Sequence, residues 1–262
     1  MTDLIVPARF RGPPSSGNGG WSAGAIAALA GDDCPTDHAH PWPTVTVSLL
    51  APPPLDAPMA VGPADDDAPD GGHAGLVASY DGRPVLRARC SHDHLADVEP
   101  VHPDDARRAE ATYHGLGGHP FPTCFACGTA RADGDGLRIF PGRVADQDGL
   151  ARVAATWTPD PSVADDVPGD GRPRASLPVT WAALDCVGGW AGDLEERLMV
   201  LARMSARIDS LPEIGEEHVV VGLGRGREGR KAWTSATLYD ADGRVVGTAE
   251  HLWVEVDPAT FA

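Results

Sequence analysis

Two glycines, Gly19 and Gly20, stand just before an apolar stretch in the run Phe10-Arg11-Gly12-Pro13-Pro14-Ser15-Ser16-Gly17-Asn18-Gly19-Gly20-Trp21. The first N–H groups of a helix have no partner within it, and glycine lets a ligand approach them closely. Such a pair can hold an anion, or the oxyanion of a carbonyl under attack. The same glycines would also permit tight packing of a helix on a sheet. Asp185 is a carboxylate among Leu184, Cys186 and Val187. A buried, unpaired carboxylate is costly, so an acid kept in such a place points to catalysis. Cys124-Phe125-Ala126-Cys127-Gly128 follows His114 and His119, and a His₂Cys₂ zinc site is conceivable there. A structural turn explains the spacing as well, and no metal is expected. Glu250 and His251 are adjacent on a strand and so face opposite ways. Arg225, Arg227, Arg230 and Lys231 cluster on a Gly-rich hairpin and would suit the phosphates of a ligand, or simply solvate the hairpin.

These residues must be positioned by the surrounding elements. Residues 19–30 and 179–190 are apolar nearly all round, the mark of buried helices. Period-two patterns bounded by turn residues predict strands over 44–50, 74–80, 84–90, 137–140, 151–157, 198–208, 218–223, 231–239 and 245–256. Asp81-Gly82 and Asp242-Gly243 read as hairpin turns, each just after a Tyr-bearing strand. A strand ending near Pro52 matches one ending at Pro212, and a buried helix precedes each. The offset is about 160 residues throughout, too long for a solenoid and right for a duplicated domain. Each unit is a helix followed by a meander of strands, an α+β arrangement. The units are placed at 1–110 and 111–262, with charged, Gly- and Pro-rich text over 97–122 that includes a short helix near 104–111. The acidic segment 62–72 reads as a mobile loop.

One buried helix wrapped by an antiparallel sheet resembles the hotdog arrangement. The sequence is similar, in particular, to the double-hotdog acyl-CoA thioesterases. In hotdog thioesterases a His-Gly-Gly triplet opens the central helix and an acid follows nine positions after the His. Asn18-Gly19-Gly20 looks like that triplet with Asn for His, yet Ala27 stands nine positions later. Asp185 looks like the acid of the second helix, yet Ser176-Leu177-Pro178 stands where its triplet would be. Each half keeps what the other lacks, so the resemblance implies one composite site between the halves. Cys124 to Gly128, followed by Gly136-Leu137, resembles the start of many hotdog domains. His251 occupies the place where the double-hotdog enzymes carry a Gln, and the resemblance implies a role in holding water. Ser205 is a weaker polar candidate.

Composition narrows the classes. The chain has 262 residues, 42% hydrophobic and 23% charged, with a net charge of −17. Nucleic-acid binding needs clustered basic residues, so no nucleic-acid partner is expected. No apolar run is long enough to span a bilayer, and the start of the sequence does not read as a secretory signal; no membrane association and a cytoplasmic location are expected. Five cysteines without a dense framework predict reduced thiols.

The resulting expectation is hydrolysis of an acyl-CoA or acyl-carrier thioester without a cofactor. Asp185 is the base or nucleophile, Gly19 and Gly20 hold the carbonyl oxygen, and Asn18 positions it. Trp21, Trp181 and Trp190 would line the acyl tunnel, and Arg230 and Lys231 would meet the phosphates. A homodimer of double hotdogs is possible. The alternatives are a non-catalytic acyl-binding module and a hotdog hydratase or dehydratase. The latter needs an Asp-His pair along the helix, and no His occurs over 179–199.

Overall fold

The computed structural model describes residues 2–31, 34, 42–64, 75–165, 171–192, 194–257 and 259. The predicted loop over 62–72 lies mostly outside these residues. In chain order the elements are β1 (Thr2–Ile5), α1 (Gly19–Gly31), β2 (Val45–Leu49), β3 (Pro58–Pro63), β4 (Leu76–Tyr80), β5 (Arg83–Cys90) and α2 (Pro103–Ala109). There follow β6 (Gly142–Gln147), β7 (Leu150–Trp157), β8 (Ala164–Asp165), β9 (Arg174–Ala175) and α3 (Leu177–Ala191). Four long strands complete the chain: β10 (Met199–Ile208), β11 (His218–Glu228), β12 (Lys231–Tyr239) and β13 (Val245–Glu255).

Eleven strands form one sheet in the order β1-β3-β4-β5-β2-β10-β13-β12-β11-β7-β6. The order reads outward in the same way from its middle. From β2 the first unit runs β5, β4, β3, β1; from β10 the second runs β13, β12, β11, β7. The duplication inferred from sequence is therefore a near-symmetric pairing about the antiparallel β2–β10 seam, where Thr46 sits opposite Ser205 and their hydroxyls lie 2.7 Å apart. Ser205 thus belongs to the junction of the units. The linker runs over the second unit: α2 packs on β7 and β6, and Val98 donates its amide to Thr237 Oγ1 while accepting from the Tyr239 hydroxyl.

Both central helices are buried because neither has a polar face. They pack directly on one another, running antiparallel: Gly20 lies against Trp181, Ala182 and Asp185, and Gly24 against Pro178 and Trp181. A Cβ on Gly20 would stand 2.4 Å from the Asp185 Cβ and 2.7 Å from the Trp181 carbonyl oxygen. The glycine is required here by the closeness of two backbones, not by its own dihedral angles.

Three local expectations are corrected. Residues 137–140 form no strand, because Arg138 has φ 53° and extended pairing cannot continue through it. Instead Leu137 and Ile139 donate their amides to the carbonyls of Phe125 and Ala126, and the first strand of this unit is β6. The two Asp-Gly turns differ. Asp81 and Gly82 both have positive φ and close a two-residue hairpin, whereas Asp242-Gly243 sits in a longer loop organised by Asp240, whose Oδ1 accepts from the amides of Asp242 and Arg244. The reduced-thiol expectation fails for Cys34 and Cys90, which form a disulfide. They lie just beyond α1 and at the end of β5, elements that pack together, and 56 residues of sequence separate them.

Candidate active site

Asn18 caps α1 and defines the geometry of the site. Its Oδ1 accepts from the Trp21 amide (2.8 Å) and its backbone carbonyl accepts from Ser22 (3.0 Å), as at an N-cap. With the carbonyl end of the amide so held, Nδ2 is aimed at the second helix, where it donates to Asp185 Oδ2 at 3.0 Å. The Gly20 amide donates to the same oxygen at 2.8 Å. Ser176 plays the matching capping part for α3, accepting from the Val179 amide. It is followed by Leu177-Pro178, and proline offers no N–H. Ala27, at the place matching Asp185, is buried and carries no acid.

The carboxylate is 2% exposed. Burial pushes its pKa up to about 7, against the opposing effect of the Gly20 and Asn18 hydrogen bonds. Oδ1 accepts no hydrogen bond from the described residues. Asp185 is thus pinned through Oδ2 and lines the cavity, while Oδ1 is buried without a partner among the described residues.

The amides preceding and opening α1 are nearly all committed. Gly17 donates to Pro53, Asn18 to Phe10, Gly20 to Asp185, Trp21 to Asn18 Oδ1 and Ser22 to the Asn18 carbonyl. The Gly19 amide has no acceptor among the described residues, and Gly19 lines the same cavity as Asp185. The Gly20 N–H, expected as an oxyanion donor, holds the acid instead, and of the expected pair only the Gly19 amide is uncommitted among the described residues.

This cavity, about 380 Å³, lies between the units. Leu49, Pro52 and Pro53 come from the first; Leu194, Met199, Leu201, Trp253 and Val254 come from the second. Its walls are mainly apolar, with Asn18, His119, Cys124, Asp185 and Cys186 grouped together. The expected tunnel residues lie elsewhere. Trp21 stacks on Phe10 with ring centroids 4.3 Å apart, Trp181 is buried beneath Gly24, and Trp190 packs edge-on against Tyr113. Trp253 supplies the indole of the cavity wall, a residue that its strand pattern alone did not single out.

His251 is not brought to Asp185. It lines a separate cavity of about 360 Å³ with Ser205, Arg225 and Glu250, and contacts α3 at Gly188. Burial lowers its pKa to about 4, so the ring is neutral. The Thr234 hydroxyl, which accepts from Trp253 Nε1 (3.0 Å), lies 3.2 Å from its Nδ1. Arg230 and Lys231 are exposed on the β11–β12 hairpin and line neither cavity. The Arg230 guanidinium donates to the Glu255 carbonyl.

The cysteines hold what spacing did not foretell. Cys124, Cys127 and Cys186 are buried, with their sulfurs all within 4.8 Å of one another; Cys124 and Cys186 are 3.6 Å apart. Hydrogen bonds from Cys127 and Cys186 hold the Cys124 thiol well below the usual range, and the bond with Cys124 holds Cys186 up. His114 is exposed and approaches Glu195, so the His₂Cys₂ arrangement does not form. A cysteine next to the acid joins the group instead. The signal available in the sequence was that adjacency alone.

Known structures share this architecture. A hotdog-fold protein of unknown function from Alicyclobacillus acidocaldarius superposes with TM-score 0.60 at 17% identity, covering 98% of this chain and 93% of the other. The chain is a double hotdog. The acyl-CoA thioesterase II TesB2 of Mycobacterium marinum matches this double hotdog with TM-score 0.56 at 14% identity, over 92% and 90% of the two chains. The tesB protein of Mycobacterium avium subsp. paratuberculosis matches with TM-score 0.55 at 14% identity, over 97% and 91%. No protein-family model matches the double hotdog, and no curated protein does. No helix among the described residues is long and apolar enough to cross a membrane.

Proposed function

We propose that this double hotdog hydrolyses acyl-CoA thioesters at one site built from both units. The observation that carries the reading is the arrangement of Asp185: its Oδ2 is held by Gly20 and Asn18 from the other unit, while Asp185 and Gly19, whose amide has no acceptor among the described residues, line one mainly apolar cavity. The acyl chain lies against Leu49, Leu201 and Trp253, and the thioester carbonyl oxygen accepts from Gly19. The Asp185 carboxylate takes a proton from water as the water oxygen attacks the carbonyl carbon. The C–S bond then breaks, the thiol leaves with a proton, and the free acid is released. The Gly19 donor stabilises charge that develops only in the transition state, a contribution of about 3–4 kcal/mol for groups of this kind. The likeness to thioesterases of the same fold supports the reaction class.

The test is Asp185→Asn, assayed by chromatographic separation of acyl-CoA and CoA across a range of acyl chains. Asn retains an oxygen for the Gly20 amide but cannot accept the proton, so the chemical rate falls by about a hundredfold or more. Stability stays equal or rises above neutral pH, because a buried charge is removed. Near-wild-type turnover in folded Asp185→Asn would overturn the composite site. Tight acyl-CoA binding by a wild-type protein that turns over no thioester would favour a binding module instead.

A further inference from the structure

We propose that Cys124, Cys127 and Cys186 form a three-thiolate zinc site whose fourth coordination position opens into the cavity of Asp185. This goes beyond the hydrolytic reading and does not depend on it. The three buried sulfurs lie within 4.8 Å of one another, and all three residues line the cavity. Tetrahedral zinc with bonds of about 2.3 Å to sulfur places sulfurs about 3.8 Å apart. The Cys124–Cys186 separation of 3.6 Å is already that of a shared ion. A disulfide would use two of these sulfurs and leave the third; one cation uses all of them.

Asn18 and His119 bring N–H donors to the sulfurs, as thiolates require, while the Asp185 carboxylate lies close enough to Cys124 to oppose its charge. Asn18 Nδ2 lies 3.8 Å from Cys124 Sγ and 3.9 Å from Cys186 Sγ, so the side chain that holds Asp185 also faces the thiols. The Gly128 amide donates to the Cys124 carbonyl at 2.9 Å, folding Cys-x-x-Cys-Gly into a tight turn. Gly128 completes it, because a Cβ there would stand 2.4 Å from the Cys124 carbonyl oxygen.

His119 Nε2 lies 3.3 Å from Cys127 Sγ and at first sight offers a fourth ligand. Its tautomer argues otherwise. Nδ1 accepts from the Phe121 amide at 2.8 Å, so in the neutral ring Nε2 carries the proton and donates to the sulfur. His119 is thus a positioning residue for Cys127, and the fourth position belongs to a molecule in the cavity. Three protein ligands with one open position is the coordination pattern of zinc sites that bind water or substrate.

The experiment uses tag-free, full-length protein. Elemental analysis after growth with zinc and purification without chelator is expected to give one zinc per chain, and X-ray absorption to show three sulfur scatterers at about 2.3 Å plus one lighter atom. Cobalt(II) in place of zinc should give intense sulfur-to-metal charge-transfer bands. Cys127→Ser and Cys186→Ser should each lose the stoichiometric metal. His119→Gln should keep one ion per chain with affinity lower by about tenfold or more, as for other groups that orient a ligand. Asp185→Asn should bind zinc normally, which separates failure of this inference from failure of the hydrolytic one. The proposal is overturned if the wild-type protein takes up neither zinc nor cobalt, if intact-mass analysis finds Cys124 and Cys186 joined as a disulfide in metal-free protein that cannot be loaded, or if absorption shows His119 as a ligand.

Discussion

The Gly20 amide donates to Asp185 Oδ2 across 2.8 Å, joining the first turn of one central helix to the middle of the other. The bond is possible because Gly20 has no side chain: the Asp185 Cβ stands where its Cβ would be. The acid of the second unit is thereby positioned by the first, and the amide nearest to it is no longer available to a substrate. In the proposed mechanism oxyanion binding therefore falls to Gly19.

Gly19→Ala and Gly19→Pro separate that role from packing. Both add a Cβ, which would stand 2.9 Å from Leu201 Cβ and Cδ2 and so forces the same local shift in each variant, but only proline removes the N–H. Proline is tolerated at the first position of a helix. Gly19→Pro is expected to fall about a hundredfold to a thousandfold below Gly19→Ala in kcat, with the fold of both intact by circular dichroism. Equal activities would remove Gly19 from the mechanism.

Asn18→Ser keeps a capping oxygen for the Trp21 amide and loses the donor to Asp185. A hydrogen bond to a charged group is worth about 1.5–3 kcal/mol, so turnover should fall by roughly ten- to a hundredfold while thermal stability changes little. Asn18→Asp also caps the helix but sets a second carboxylate beside Asp185 Oδ2. Steady-state kinetics should show it to be the slower of the two.

His251 predicts an acid-labile fold. Its folded pKa of about 4 lies below the ordinary value of 6.5, so the unfolded chain binds the proton more readily. The stability it contributes is fully present above about pH 6.5 and is lost as pH falls from there through 4, by up to about 3 kcal/mol. Urea denaturation at pH 7.5 and pH 5 should show a smaller difference for His251→Gln than for wild type. Identical differences would mean that His251 is not buried neutral.

The Cys34–Cys90 disulfide closes a separation of 56 residues between α1 and β5. Cys34→Ala with Cys90→Ala should cost about 2–4 kcal/mol in denaturant unfolding. Wild type treated with a reductant should approach the variant, and the variant itself should not respond.

The sequence by itself determined the units and their contents. Apolar text all round residues 19–30 and 179–190 marks buried helices, alternation marks most strands, and the repeated order marks duplication. These are legible because each depends on residues close together in the chain. The opposed losses of acid and glycines, with Asn18-Gly19-Gly20 in one half and Asp185 in the other, could likewise be read from spacing and resemblance. What only the tertiary structure decided are the relationships between residues far apart in the chain. Which amide is committed to Asp185 depends on the crossing of α1 and α3; Trp253 rather than Trp21 or Trp181 lines the cavity because of where β13 meets α3. Cys186 reaches Cys124 and Cys127, and Cys34 reaches Cys90, only once helix and sheet are packed. Arg138 broke a strand pattern because a single backbone dihedral, imposed by the turn it serves, outweighs the alternation of its neighbours.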